Sequence, residues 1–327
     1  MNDQFNKIVN ELNLGSIIEE SSRVSGGLTH RMFKVVTTNG KYIIKLLNPS
    51  IMKRPTALPN FNRADSYEEI LKNNDISAIY SLKINDKKLQ CIDGQYLYVY
   101  EWYDGRTLID DEITKSHCEK IGSVLAKIHN IDLKEENYIG TEKHIDWNFY
   151  IEKCREENIE LYNLLYDKIG LLNESMNKGN DAIKNIPNVV ALCHNDMDSK
   201  NVMWIDDEYK LIDLECLDYS NPYLELFELA LCWSGYEKSN IDFDLFKAFI
   251  NSYIENTDLN MNINWENIYY SNNGRLEWLE YNLKRALLIE CSSDEEQKIG
   301  IKEVKETIDH IVYYDKVKQS ILKNMQF

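Results

Sequence analysis

Proline is scarce in this 327-residue chain, at five residues, and no apolar run approaches the ~18–20 residues that a membrane span requires. No membrane partner is therefore expected. The first twelve residues are polar and charged, so no secretory signal is expected either. Cysteine pairing is also missing. Seven cysteines (91, 118, 154, 193, 216, 232 and 291) are scattered, odd in number and without a C-x-x-C pair. That pattern argues against a disulfide framework or zinc site and for a reducing cytoplasm. Basic charge is in deficit: 37 Lys and Arg against 54 Asp and Glu give −17. Such a surface repels nucleic acid and anionic lipid and attracts small cations. No repeat or low-complexity tract occurs, and nothing points to an obligate protein partner.

What is present suffices for two compact units, since 43% of the residues are apolar. The first ~100 residues read largely as strands. A run near residues 16–23 leads into Ser25-Gly26-Gly27-Leu28-Thr29-His30, followed by strands over 31–37 and 41–47 joined at Asn39-Gly40. A helix is expected over 62–73, then strands over 88–92 and 95–101 turning at Asp93-Gly94. Beyond residue 105 the apolar spacing becomes helical, over 112–128, 148–168 and 276–289. The expected fold class is α+β with two lobes: residues 1–103 carry a small antiparallel sheet and one main helix, and residues 104–327 are mostly helical.

The stretch 192–213 carries His194-x-Asp196, Asn201 five residues later, and Asp213 closing an apolar run. Runs 202–205 and 209–212 flank Asp206-Asp207-Glu208, which predicts a β-hairpin with the first two aspartates as turn residues. Antiparallel strands return to one end, so Asn201 and Asp213 should lie side by side with Asp196 just upstream. One carboxylate to orient a hydroxyl, with a carboxamide and a carboxylate to hold Mg²⁺ on ATP phosphates, is a phosphoryl-transfer set. His194 reads as a buttress of the loop. Lys200, four residues after Asp196, reads first as a solvated loop lysine and second as a contact of the transferred phosphoryl group, and His129 reads as a helix-terminal structural residue.

Gly26 and Gly27 lie between strands, where the lack of a Cβ lets backbone N–H groups approach phosphate. Lys45 shares its strand face with Ile43 and Leu47, so its ammonium needs an anionic partner. ATP phosphates supply one, and a helix carboxylate would hold the lysine in place. Phe61, Ala64, Glu68 and Leu71 define the inward stripe of the first long helix, which nominates Glu68.

These residues together resemble the aminoglycoside phosphotransferase and choline/ethanolamine kinase family, small-molecule relatives of protein kinases. The matching pieces are Gly26-Gly27-Leu28-Thr29, Lys45, Leu125-Ala126-x-x-His129, His194-x-Asp196 with Asn201, and Leu211-Ile212-Asp213-x-Glu215. The resemblance implies a protein-kinase-like two-lobe fold, ATP or GTP with Mg²⁺, and phosphorylation of a hydroxyl. It assigns Asp196 as base, Asn201 and Asp213 as metal ligands, and Gly26, Gly27, Thr29 and Lys45 to the nucleotide. Glu215 matches the choline-kinase side of the family. Asn221-Pro222 followed by Glu225 resembles its downstream motif, with glutamate in place of the usual aspartate. Ala64, Asp65 and Ser66 occupy the neighbourhood where the family spacing places a glutamate partner for Lys45.

No Ala-Pro-Glu triplet follows Asp213, and residues 223–233 already read as helix, so a peptide-docking platform is missing. The expected acceptor is a small cationic hydroxylated molecule such as an aminoglycoside, the alternatives being choline or ethanolamine, or a non-catalytic nucleotide-binding role. Acids pair ammonium groups, and aromatic rings attract them by cation–π contact. Glu215, Glu225, Trp233, Glu277, Trp278 and Tyr281 are the candidate acceptor contacts.

Overall fold

The computed structural model describes residues 2–24, 30–136, 138–291 and 293–326. Contacts divide the chain into two units, residues 1–112 with 192–219, and residues 113–191 with 220–327. A single cut at residue 103 does not capture this division, because the hairpin and its approach group with the first unit.

In the first unit, β1 (Ser22–Val24), β2 (Arg31–Thr37), β3 (Gly40–Leu46), β4 (Gln90–Ile92) and β5 (Gln95–Glu101) form an antiparallel sheet in the order β1-β2-β3-β5-β4. Helix α1 (Asn2–Glu11), absent from the sequence reading, lays Phe5, Ile8 and Val9, with Leu12 just past its end, on one sheet face against Phe33, Val35, Ile44, Leu46, Leu97 and Val99. After a short turn, α2 (Pro49–Met52), the expected main helix is α3 (Ala57–Asn73). Its buried residues Ala57, Phe61, Ala64, Glu68 and Leu71 recur every three or four positions, and Phe61 packs with Leu47 and Tyr98. Lys45 thus emerges on the α3 side of the sheet, because neighbours in a strand alternate faces and Ile44 and Leu46 face α1.

Two turns compare instructively. Asp93 and Gly94 both have positive φ and close β4 onto β5, with Ile92 opposite Gln95. The β2–β3 turn instead consists of Thr38 and Asn39, because Gly40 pairs with Thr37 inside the ladder. There the Thr37 hydroxyl accepts from Asn39 N–H and donates to the Leu14 carbonyl, side-chain bonding that the dipeptide did not signal.

Strand β6 (Arg106–Thr107) extends the hairpin of β8 (Val202–Ile205) and β9 (Glu208–Leu211) to a three-stranded sheet, while β7 (Ala191–Cys193) pairs with β10 (Asp218–Ser220). Ile205 pairs with Glu208, which leaves Asp206 and Asp207 as the turn.

The second unit is helical: α4 (Lys115–Asn130), α5 (Trp147–Glu157), α6 (Ile159–Ala182), α7 (Pro222–Cys232), α8 (Phe243–Asn256), α9 (Trp265–Ser271), α10 (Gly274–Ala286) and α11 (Asp294–Lys323). The helix expected over 148–168 is two helices. Asn158 interrupts it with extended backbone and a side chain that accepts from Leu161 N–H, capping α6. Helices α5, α6, α10 and α11 share one core. Helices α4 and α8 meet at Gly122, where a Cβ would collide with the Phe249 carbonyl oxygen. No helix among the described residues is long and apolar enough to cross a membrane.

Candidate active site

The site is built by two segments of the first unit, the loop into β8 and the turn out of β9. Asn195 adopts a left-handed backbone (φ 61°) and its amide donates to the Cys216 carbonyl at 3.0 Å, which tethers one segment to the other. Asp198 caps the short turn Ser199–Asn201 through Lys200 N–H. That turn brings Asn201 back over Asp196, where its amide donates to the Asp196 carbonyl and to Oδ2, both at 2.8 Å. Asn201 is buried, and the amide assignment follows from this bonding. The Asp196 side chain keeps about a third of its surface exposed. Lys200 lies 3.4 Å from Asp196 Oδ1 and 2.7 Å from Asp198, so its nearest partner is the capping acid. His194 is fully buried beneath this loop.

Ile212 N–H donates to the Asn201 carbonyl at 3.0 Å, which closes the hairpin mouth and sets Asp213 beside Asn201. Asp213 is left-handed (φ 60°, ψ 52°), a strained conformation for a non-glycine residue. The strain turns the chain at once into Leu214–Cys216 and leaves Glu215 near Asp213. Lys45 Nζ joins both acids, at 2.7 Å from Asp213 Oδ1 and 2.6 Å from Glu215 Oε2. Burial opposes the charge on Lys45, yet Glu215 and Asp213 outweigh it and hold the ammonium above its ordinary pKa.

His30, which the sequence reading left without a role, completes this cluster. It is buried, its Nδ1 accepts from Asn48 N–H at 3.0 Å, and its Nε2 lies 3.6 Å from Glu215 Oε1. Burial, then the Lys45 ammonium, lowers its pKa to about 4, so the ring is neutral near pH 7. The available signal was its place in the sequence directly after Gly26-Gly27-Leu28-Thr29.

The nomination of Glu68 as partner of Lys45 is corrected. Glu68 is buried on α3 as expected, but its carboxylate accepts from Ser81 N–H at 2.5 Å and from the Ser81 hydroxyl at 3.0 Å, and Lys88 Nζ lies at 3.4 Å. Burial raises the Glu68 pKa, with Lys88 pulling the other way. Ser81 and Lys88 lie beyond the end of the helix, so its periodicity alone could not reveal them. Gly26, Gly27 and Thr29 lie outside the described residues.

The remaining candidates belong to the helical unit. Trp233 has no exposed surface and is a core residue, which corrects its nomination as an acceptor contact. Glu225 is also buried, with His129 Nε2 at 2.7 Å, and Tyr253 Oη lies 2.6 Å from His129 Nδ1. The His129 side chain thus engages a buried polar chain. Glu277 is exposed and pairs with Lys143. Trp278 and Tyr281 stack at 5.4 Å with substantial exposure, and the Arg285 guanidinium lies 5.3 Å from the Tyr281 ring.

A family model described as "Phosphotransferase enzyme family" matches residues 20–256. No curated protein matches the chain in sequence. Among solved structures, a spectinomycin phosphotransferase in complex with ADP and spectinomycin is similar at 14% identity and TM-score 0.70, covering 96% of this chain and 98% of that one. An amicoumacin kinase in complex with AMP-PNP and Ca²⁺ is similar at 14% identity and TM-score 0.61, covering 94% of each chain. A Plasmodium vivax ethanolamine kinase gives 21% identity and TM-score 0.53 over 88% of this chain and 81% of that one. At these identities the likeness is one of fold.

Proposed function

Because the chain belongs to the phosphotransferase enzyme family, we propose that it transfers the γ-phosphate of ATP to a hydroxyl of a small cationic molecule of the aminoglycoside type. The observation that carries this reading is the hairpin mouth, where Asn201 fastens Asp196 and sits beside Asp213 while Lys45 reaches the same acid. Asp196 orients the acceptor hydroxyl and takes its proton as the bond to phosphorus forms. Lys45 binds the nucleotide phosphates, and GTP fits the same contacts as ATP.

The donor set suits Mg²⁺. The Asn201 amide nitrogen is spent on Asp196, which turns Oδ1 away, and Lys45 occupies only Oδ1 of Asp213. Asn201 and Asp213 therefore present hard oxygen ligands to a magnesium ion. Bound there, it would neutralise charge on the transferring phosphates. We expect Asp213→Ala to weaken Mg·ADP binding by about tenfold or more, measured by calorimetry with and without magnesium. Equal affinities for variant and wild type would remove Asp213 as a ligand.

The net charge of −17 favours a cationic acceptor. Of the helical-unit candidates, Glu277, Trp278 and Tyr281 retain the exposure that acceptor contact requires. Choline or ethanolamine is the second reading, favoured by Glu215 in the Asp-x-Glu pattern. A non-catalytic role loses its one support, because Lys45 does have an acidic partner. Free cysteines throughout the described residues fit a cytoplasmic protein. Acceptor-dependent ADP release, screened with aminoglycosides, choline and ethanolamine, tests the reading. Release with an aminoglycoside supports it, release only with choline or ethanolamine transfers it to the second reading, and release with none overturns both.

A further inference from the structure

Building on the nucleotide role proposed for Lys45, we infer that Glu215 is its positioning residue and that α3 is a fixed strut carrying no partner for it. Two sets of contacts point the same way. Lys45 Nζ is committed to Glu215 and Asp213 at 2.6 and 2.7 Å, and the buried His30 ring sits against the other oxygen of Glu215. Because Asn48 N–H donates to His30 Nδ1, the ring proton lies on Nε2, the nitrogen nearest Glu215.

Glu68 is committed just as fully elsewhere. It accepts from the backbone and side chain of Ser81, and Lys88 Nζ lies against it. Lys88 is itself buried and also reaches Glu69 at 2.7 Å and the Asp65 carbonyl at 3.3 Å. Swinging Glu68 toward Lys45 would strand the buried Ser81 N–H, which is costly without a partner, and would take from the buried Lys88 ammonium one of its two acids. These two buried lysines thus have separate acids, Lys88 with Glu68 and Glu69, and Lys45 with Glu215 and Asp213. Since Glu215 lies two residues after Asp213, one short turn sets both the phosphate lysine and the expected metal carboxylate.

Calorimetry of the full chain with ADP, in EDTA and then in magnesium, tests this assignment. In EDTA a metal-ligand role for Glu215 cannot contribute. There Glu215→Gln is expected to weaken ADP binding about tenfold, as loss of a charge-assisted contact predicts, with Glu215→Asp intermediate. Adding Glu215→Gln to Lys45→Met should weaken binding no further, because the carboxylate acts through the lysine. Glu68→Gln should change ADP affinity by less than about twofold while lowering the melting temperature. Unchanged or tighter ADP binding by Glu215→Gln would overturn the assignment, tighter binding meaning that the carboxylate competes with phosphate for Lys45. Loss of ADP affinity in a folded Glu68→Gln would overturn it as well. A wild-type protein that binds no ADP in either buffer would sink the nucleotide reading together with it.

Discussion

His30 shows how a single buried side chain makes the fold sensitive to pH. Its pKa in the folded chain is about 4 against an ordinary 6.5, lowered by burial and then by Lys45. The unfolded chain therefore binds the extra proton first. This contribution to stability is present in full above about pH 6.5 and is lost as pH falls toward 4. The loss amounts to about 2–3 kcal/mol by linkage. Urea unfolding of the nucleotide-free protein at pH 7 and at pH 4.5 should show a smaller fall for His30→Asn, which keeps an acceptor near Asn48, than for wild type. An equal fall in both would assign the acid sensitivity to the carboxylates alone. At this scale the placing of Asp196, Asn201 and Asp213 side by side was legible, because hairpins announce themselves locally. The partners of Lys45 and Glu68 were not, since Glu215 is 170 residues from Lys45 and Ser81 is 13 from Glu68.

Helix α3 is the element on which the reading from periodicity was half complete. Its buried stripe gave the correct inward face, Glu68 included, but not what that face meets. The structure supplies Ser81 and Lys88, and these tie the helix down. Lys88→Met leaves Glu68 buried beside Ser81 without its ammonium, and breaking such a pair costs about 3–5 kcal/mol. Chemical denaturation should register that loss, and Lys88→Met with Glu68→Leu should recover part of it by removing the orphaned charge. A double variant no more stable than the single one would mean that the pair itself, rather than the stranded carboxylate, stabilises α3. Helix α1 and the break at Asn158 escaped the reading for different reasons. The first needs the sheet face it covers, and the second is one capping side chain competing with helical bonds over a continuous apolar pattern.

For the molecule as a whole, the α+β class and the family were legible because their markers, from Lys45 to Asp213, lie within the matched span of residues 20–256. The grouping of residues 192–219 with the first unit was not, because it depends on long-range pairs such as Ala78 with Leu211 and Arg106 with Trp204. The excess of 54 acids over 37 bases supplies a further expectation. KM for a cationic acceptor should rise with ionic strength, because salt screens the long-range attraction over a Debye length of about 8–10 Å near physiological salt. A KM flat across salt would confine recognition to short-range contacts. The central claim is that Asp196 is the catalytic carboxylate of a phosphotransferase, and transfer by Asp196→Asn measured beside its ADP affinity tests it most directly. The account predicts that transfer to an acceptor used by wild type falls by about 10²–10⁴-fold with ADP affinity unchanged. Transfer at the wild-type rate in that variant would contradict it.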